Sequence, residues 1–166
     1  MAEIFVSLGS NIDRDHHLCR AATALRTTFG KIAFSPVYES AAVGFDGPPF
    51  YNAVAHAETD LDLDAVLDKL RRIEDAQGRV RHADSFHSRT LDLDLLLYDD
   101  LVLETPTVAL PRDDILRFAF VAAPLADLAA DRCHPVSGVR YADLWAGFDR
   151  SAQPLTRIAF DWTTAA

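Results

Sequence analysis

The sequence predicts an α+β protein in which a mostly antiparallel sheet carries helices packed on it. Three observations lead there. β-Prone and helix-periodic segments are mixed without a strict βαβα alternation. Several strand-like segments lie close together in sequence, as antiparallel pairs require. The 166 residues, 49% hydrophobic and 10% aromatic, are enough to fill one sizeable core, so a single domain over 1–166 is expected.

Glu3 to Leu8 is apolar and β-prone, and Gly9-Ser10-Asn11 then supplies turn chemistry. Asp13 or Asp15 caps a helix reaching about Thr28, because Leu18, Ala21, Ala22 and Leu25 recur at helical spacing before the stop at Gly30. Lys31 to Tyr38 reads as extended. Gly44-Phe45-Asp46-Gly47-Pro48-Pro49 is too rich in Gly and Pro for regular structure and forms a candidate binding wall before the strand Tyr51 to Thr59. Asp62 or Asp64 opens a second helix with Val66, Leu67, Leu70 and Ile73 on its apolar face, ending near Gln77-Gly78. Leu91 to Tyr98 is the most strongly strand-like run, and Leu101 to Leu103 reads as its hairpin return. Phe118 to Ala130 and Tyr141 to Phe148 look helical, and Leu155 to Phe160 closes the chain as a strand.

Sixteen Lys and Arg against 25 Asp and Glu leave a net charge of −9, so no global field draws the protein to nucleic acid or an anionic bilayer. Phosphate, if bound, must meet a local basic cluster. No apolar run approaches the roughly 20 residues that span a membrane, and Met1-Ala2-Glu3 lacks a basic segment leading into an apolar one. A cytoplasmic monomer acting on small molecules is expected. Cys19 and Cys133 lie far apart with no CxxC partner, suggesting two buried small hydrophobes rather than a disulfide or zinc site.

In Leu91-Asp92-Leu93-Asp94, alternation along a strand sends Asp92 and Asp94 to one face with Cα atoms about 6.5 to 7 Å apart. Two carboxylates so placed can bridge two Mg²⁺ ions about 4 Å apart, a geometry that neutralises a transferring phosphoryl group. Alone, the pattern also fits a solvent-facing strand edge, and Asp60-Leu61-Asp62-Leu63-Asp64 shows the same alternation at a helix N-terminus. Context shifts the balance. Arg71, Arg72, Arg79, Arg81 and Arg89 lie just upstream in a chain with only two lysines, and arginine's planar fork suits phosphate oxygens. Pairing with Asp75, Asp84 and neighbouring acids is the competing explanation. Neither GxxxxGK[ST] nor GxGxxG occurs.

Arg72-Ile73-Glu74, Gln77-Gly78-Arg79-Val80-Arg81 and Arg89-Thr90-Leu91-Asp92-Leu93-Asp94-Leu95-Leu96-Leu97-Tyr98 together resemble the signature of the 6-hydroxymethyl-7,8-dihydropterin pyrophosphokinase family. Leu8-Gly9-Ser10-Asn11 resembles that family's opening motif, Tyr38 to Asn52 its pterin-side loop, and Phe120 with Pro124-Leu125 its later helix. The resemblance implies a ferredoxin-like fold and transfer of pyrophosphate from Mg-ATP to the pterin hydroxymethyl group, releasing AMP. Asp92 and Asp94 would hold two Mg ions, with Arg79 and Arg89 stabilising transferring charge. Arg71, Glu74, Arg81, Leu95, Arg112 and Arg117 would belong to the ATP side. Asn52 would hydrogen-bond the pterin and Phe50 and Phe120 would sandwich it, with Ser40, Ala41, Val43 and Phe86 nearby.

The chain also departs from the family pattern. His87-Ser88 stands where Gly-Pro usually precedes the signature arginine, and Phe86 replaces a usual Trp. Arg112-Asp113 follows Pro111 in place of a His-led pair, and Arg117 comes one place early with Phe118 in its position. Two alternatives therefore stay open: a pterin-binding relative with altered nucleotide handling, and a different two-metal phosphotransferase or nucleotidyltransferase. Asp13, Asp15, His16, His17 and Cys19 crowd together, but helical neighbours diverge by about 100° and do not converge on one ion. His56 and His134 read as structural, whereas His82 and His87 flank the arginine-rich loop.

Overall fold

The computed structural model describes residues 1–81 and 87–163. Strands β1 (Ala2–Ser10), β2 (Ile32–Phe34), β3 (Val37–Ser40), β4 (Phe50–Thr59), β5 (Asp92–Tyr98) and, late in the chain, β8 (Thr156–Ile158) form one sheet. Its order is β5-β1-β4-β3-β8, with β2 also pairing β4, and every pairing is antiparallel. Helices α1 (Arg14–Phe29) and α2 (Leu63–Ala76) connect the strands in the order β1-α1-β2/β3-β4-α2-β5. The fold is α+β and ferredoxin-like, as the sequence predicts. Beyond β5 come the short pair β6 (Leu103–Glu104) and β7 (Ala109–Leu110), then α3 (Asp114–Arg117), α4 (Ala119–Ala129) and α5 (Tyr141–Ala146).

Alternation along β1 divides the core. Ile4, Val6 and Leu8 face α1 and α2, where they pack with Leu18, Leu25, Val66, Leu70 and Ile73. Phe5 lies on the other face with Val54, Leu96, Leu97 and the α4 residues Val121 and Leu125. Leu18 and Leu25 are fully buried, so truncating either to Ala costs about 2–5 kcal/mol. The α2 start follows the sequence: Asp62 Oδ1 accepts from the Ala65 N–H at 2.9 Å. Asp13 takes the corresponding place before α1 with φ 48° and makes no side-chain cap bond.

β5 departs from simple alternation. Phe5 opposes Leu97 and Val6 opposes Leu95, so Leu96 is the extra residue of a β-bulge. Leu96 and Leu97 consequently both face α4. The Leu96 carbonyl, released from the ladder, accepts from the Arg112 N–H at 2.9 Å. The expected hairpin return over Leu101 to Leu103 does not pair with β5. Only Leu103 is in a strand there, and β6 pairs with β7. The Glu74 carboxylate and the Arg112 backbone take hydrogen-bonding groups along β5's outer side instead. The helix expected over Phe118 to Ala130 is α4, and the sequence reading did not foresee α3, which precedes it and is separated from it by extended Phe118 (φ −121°, ψ 124°). Cys19 is buried, but Cys133 is exposed because it lies in the loop bridged to Arg140. Among the described residues no helix is long and apolar enough to cross a membrane.

Candidate active site

Three strands contribute one row of residues to the α4 face. Asn52 on β4 pairs with Gly9 on β1, and Gly9 pairs with Asp92 on β5. With strands spaced about 4.8 Å apart, Asn52 and Asp92 stand about 10 Å apart across a glycine floor. A Cβ on Gly9 would sit 3.7 Å from Asn52 Oδ1 and 3.8 Å from the Phe50 ring, filling space between the two halves. Two residues along, on the same face, Ser7 opposes Asp94. A cavity of about 340 Å³ opens over this floor.

Its lining brings together most of the residues singled out in the sequence: Arg79, Arg89, Asp92, Asp94, Arg112 and Arg117 with Ser40, Ala41, Val43, Phe50, Asn52 and Phe120. Glu74, Arg71, Arg81 and Leu95 are not on its walls. Leu95 points into the α1–α2 core, because alternation sends it opposite to Asp94. Arg71 is exposed on α2. Glu74, 8% exposed, lies behind the site. Its Oε2 accepts from Leu93 N at 2.8 Å and from Arg79 at 3.1 Å, and its Oε1 accepts from Arg81 at 3.0 Å. Arg81 also pairs with Asp75, as the competing explanation for the arginine cluster held. Phe86, with His82 and Asp84, lies outside the described residues.

On the charged side, Arg79 Nη1 donates to Asp92 Oδ1 and to the Leu91 carbonyl, both at 2.9 Å. The buried Nε of Arg79 has no hydrogen-bond partner among the described residues. Arg89 Nη1 donates to Asp92 Oδ2 at 3.2 Å. Arg112 lies 3.5 Å from Asp94 Oδ1 and bonds Asp114 at 3.2 Å. Burial opposes ionisation of Asp92, but Arg89 and Arg79 outweigh it and hold the carboxyl below its ordinary range. Asp94 goes the other way: burial, then the Asp92 charge and that of Asp114, push it well above, with Arg112 offsetting only part. Burial likewise raises Glu74, with the Leu93 N–H acting against it.

Among the described residues no group of three or more His, Cys, Asp or Glu side chains is arranged to hold a metal. A carboxylate pair is nonetheless a donor set that fits Mg²⁺, which commonly takes one or two carboxylates and completes its shell from substrate phosphates and water.

The opposite side combines a buried side-chain amide with aromatic rings, a surface that a flat polar ring could fit. Asn52 Nδ2 donates to Ser40 Oγ at 2.9 Å and to the Tyr38 carbonyl at 3.2 Å, which leaves Oδ1 as the acceptor directed over Gly9. Phe45 meets Phe50 edge-on, centroids 6.3 Å apart, and Phe118 stacks on Phe120 at 4.9 Å. Arg117 sits 5.0 Å over the Phe118 ring.

Asp114 carries no signal in the sequence, and Phe45 and Asn11 stand there only as members of a loop and a motif, without individual roles. Asn11 is 4% exposed; its Oδ1 accepts from Arg89 N at 2.7 Å and its Nδ2 donates to the Pro48 carbonyl and Ser88 Oγ. It therefore ties the Gly/Pro-rich loop and the Arg89 segment to β1. The Gly9-Ser10-Asn11 turn was the signal for it, but no local rule names partners 37 and 78 residues away.

Fold and cleft define a class: ferredoxin-like α+β proteins with a carboxylate pair and arginines facing an aromatic, amide-bearing wall over one sheet face. The sequence profile of the 7,8-dihydro-6-hydroxymethylpterin-pyrophosphokinase family matches residues 5–130, and the chain belongs to that family. The 2-amino-4-hydroxy-6-hydroxymethyldihydropteridine pyrophosphokinase of Haemophilus influenzae is 36% identical over 144 residues, covering 84% of this chain and 89% of that protein. Its namesake from Pseudomonas aeruginosa is 39% identical, covering 77% and 81%. A crystal structure of an HPPK-DHPS in complex with substrates superposes with a TM-score of 0.72 at 12% identity, over 90% of this chain and 44% of that one. At that identity the likeness concerns the fold, and the chain spans less than half of that solved protein.

Proposed function

We propose that this protein transfers a pyrophosphoryl group from ATP to 6-hydroxymethyl-7,8-dihydropterin in folate synthesis. The hydroxymethyl oxygen bonds to the β-phosphorus. The bond from that phosphorus to the bridging oxygen breaks, AMP leaves with that oxygen, and the hydroxyl proton is released. The row Asn52–Gly9–Asp92 carries this reading, because it sets a ring-recognising amide and a phosphate-handling carboxylate about 10 Å apart across an open floor.

Asn52 Oδ1 would accept from the pterin's amino and ring N–H edge, while Phe50 and Phe120 cover its faces and keep water from the acceptor hydroxyl. Asp92 and Asp94 would hold two Mg ions, which would offset the charge developing on the phosphates. Arg79 and Arg89, paired with Asp92 in the structure, would exchange that partner for phosphate oxygens, and Arg112 would do the same from Asp94. The cation charge would take the place of the arginines beside Asp92 and Asp94, and the freed guanidinium groups would face the transferring group.

The test is product analysis. Protein, Mg-ATP and the dihydropterin should yield AMP and pterin diphosphate in equal amounts, and EDTA should stop the reaction. ADP as the nucleotide product, or undiminished turnover in EDTA, contradicts the reading.

A further inference from the structure

We infer that Gln153 is a positioning residue for the substrate wall of the cleft, a proposal that rests on the pyrophosphokinase reading. Gln153 lies between α5 and β8, beyond the residues 5–130 matched by the family profile, and does not itself line the cleft. Its side-chain amide spans the break between α3 and α4. Oε1 accepts from the Ala119 N–H at 2.8 Å and Nε2 donates to the Arg117 carbonyl at 3.1 Å. These are groups that a helix start and a helix end leave without intrahelical partners. One amide supplies the acceptor and the donor together, which no other side chain of that length does.

The clamp encloses Phe118, and what it holds faces the ligand space. Arg117, Phe118 and Phe120 all line the cleft, and the two rings stack at 4.9 Å with only 17° between their planes. Gln153 is itself held from both sides. Before it, Asp149 Oδ1 accepts from Ser151 N, Ser151 Oγ and Ala152 N, and the Asp149 carbonyl accepts from Gln153 N at 3.1 Å. After it, Thr156 pairs with Glu39 on β3, whose neighbour Ser40 is in the cleft. Ala119 is fully buried, so without Gln153 its N–H has no protein partner and the elbow relaxes to find one.

The consequence falls on ground-state recognition of the pterin. Gln153→Met, close in size and without either hydrogen bond, should raise the pterin Kd and KM about 5- to 10-fold while kcat at saturating pterin stays within about twofold. Gln153→Glu keeps an acceptor for Ala119 N but sets a carboxylate oxygen against the Arg117 carbonyl, so it too should bind the pterin more weakly than wild type. Amide exchange at Ala119 should quicken in Gln153→Met. Thermal melts identify variants that fail to fold, and Kd per folded molecule removes a purely structural loss from the comparison. Wild-type pterin affinity in folded Gln153→Met or in folded Gln153→Glu overturns the proposal. A wild-type protein that neither binds the pterin nor forms AMP overturns the functional reading, and the role of Gln153 in it.

Discussion

At the Glu3 end of the α4-facing surface of β1, charge is consumed internally, whereas at the Gly9 end it is held in reserve. Glu3 accepts from His56 at 2.8 Å and from both terminal nitrogens of Arg132, and its own N–H donates to Asp99 at 2.7 Å. The Arg132 bond, stronger than the opposing burial, lowers the Glu3 carboxyl below its ordinary value. At the Gly9 end, Asp92, Asp94 and Asp114 crowd against arginines, and Asp94 is pushed well above the carboxylate range. Both ends carry acids and arginines. What separates them is that Asp94 is enclosed beside a second carboxylate and its carboxyl is raised, whereas Glu3 is paired well enough to be lowered, and a buried acid held above its range marks a place where binding can supply what folding does not.

The sharpest way to break the comparison is Asp94→Asn. Turnover should fall by about 1,000-fold or more. Because folding raises the Asp94 pKa, its ionised form costs stability at pH above the unfolded value, and that cost fades as pH falls through the folded value. The amide removes it, so Tm at neutral pH should hold or rise. A fall of several degrees would place Asp94 among residues that stabilise the fold, like Glu3.

Asn52→Leu probes the other half of the cleft. It should weaken pterin binding about 10- to 100-fold and leave nucleotide affinity unchanged, measured by calorimetry with each ligand. Equal losses for both ligands would erase the division between the two halves.

Glu3→Gln is the converse of Asp94→Asn. It should cost about 1 kcal/mol in urea unfolding with turnover unaltered. The sign follows from the lowered pKa: the Glu3 contribution is present above the usual glutamate value and is lost as pH falls through the folded one. The difference between wild type and variant should therefore shrink in acid. The smallest effect is expected from Arg72→Ala, whose i,i+4 partner Asp68 is exposed, with a stability change within about 0.5 kcal/mol.

Period-two and period-3.6 patterns made the sheet faces and α1, α2 and β5 legible, because burial acts locally on every second or third to fourth residue. Asp92 and Asp94 were legible for the same reason. The bulge at Leu96 was not: Leu95-Leu96-Leu97 satisfies either face at each position, so the pattern carries no trace of the shift. The resemblance puts Glu74 on the nucleotide side; its bracing of Arg79, Arg81 and the β5 backbone is set by helix packing and leaves no mark in its own segment. Asn11 and Gln153 escaped for a related cause, since each derives its meaning from partners brought close only by the finished fold.

The exchange of partners at Asp92 and Asp94 is tested most directly by counting bound divalent ions. Mn²⁺ titrated into the protein with a non-hydrolysable ATP analogue, followed by its free-ion electron paramagnetic resonance signal, should reveal two ions per molecule. In the Asp92→Asn/Asp94→Asn double variant, no more should bind than the free analogue takes up alone. The same two ions retained by the double variant would contradict the assignment of the pair.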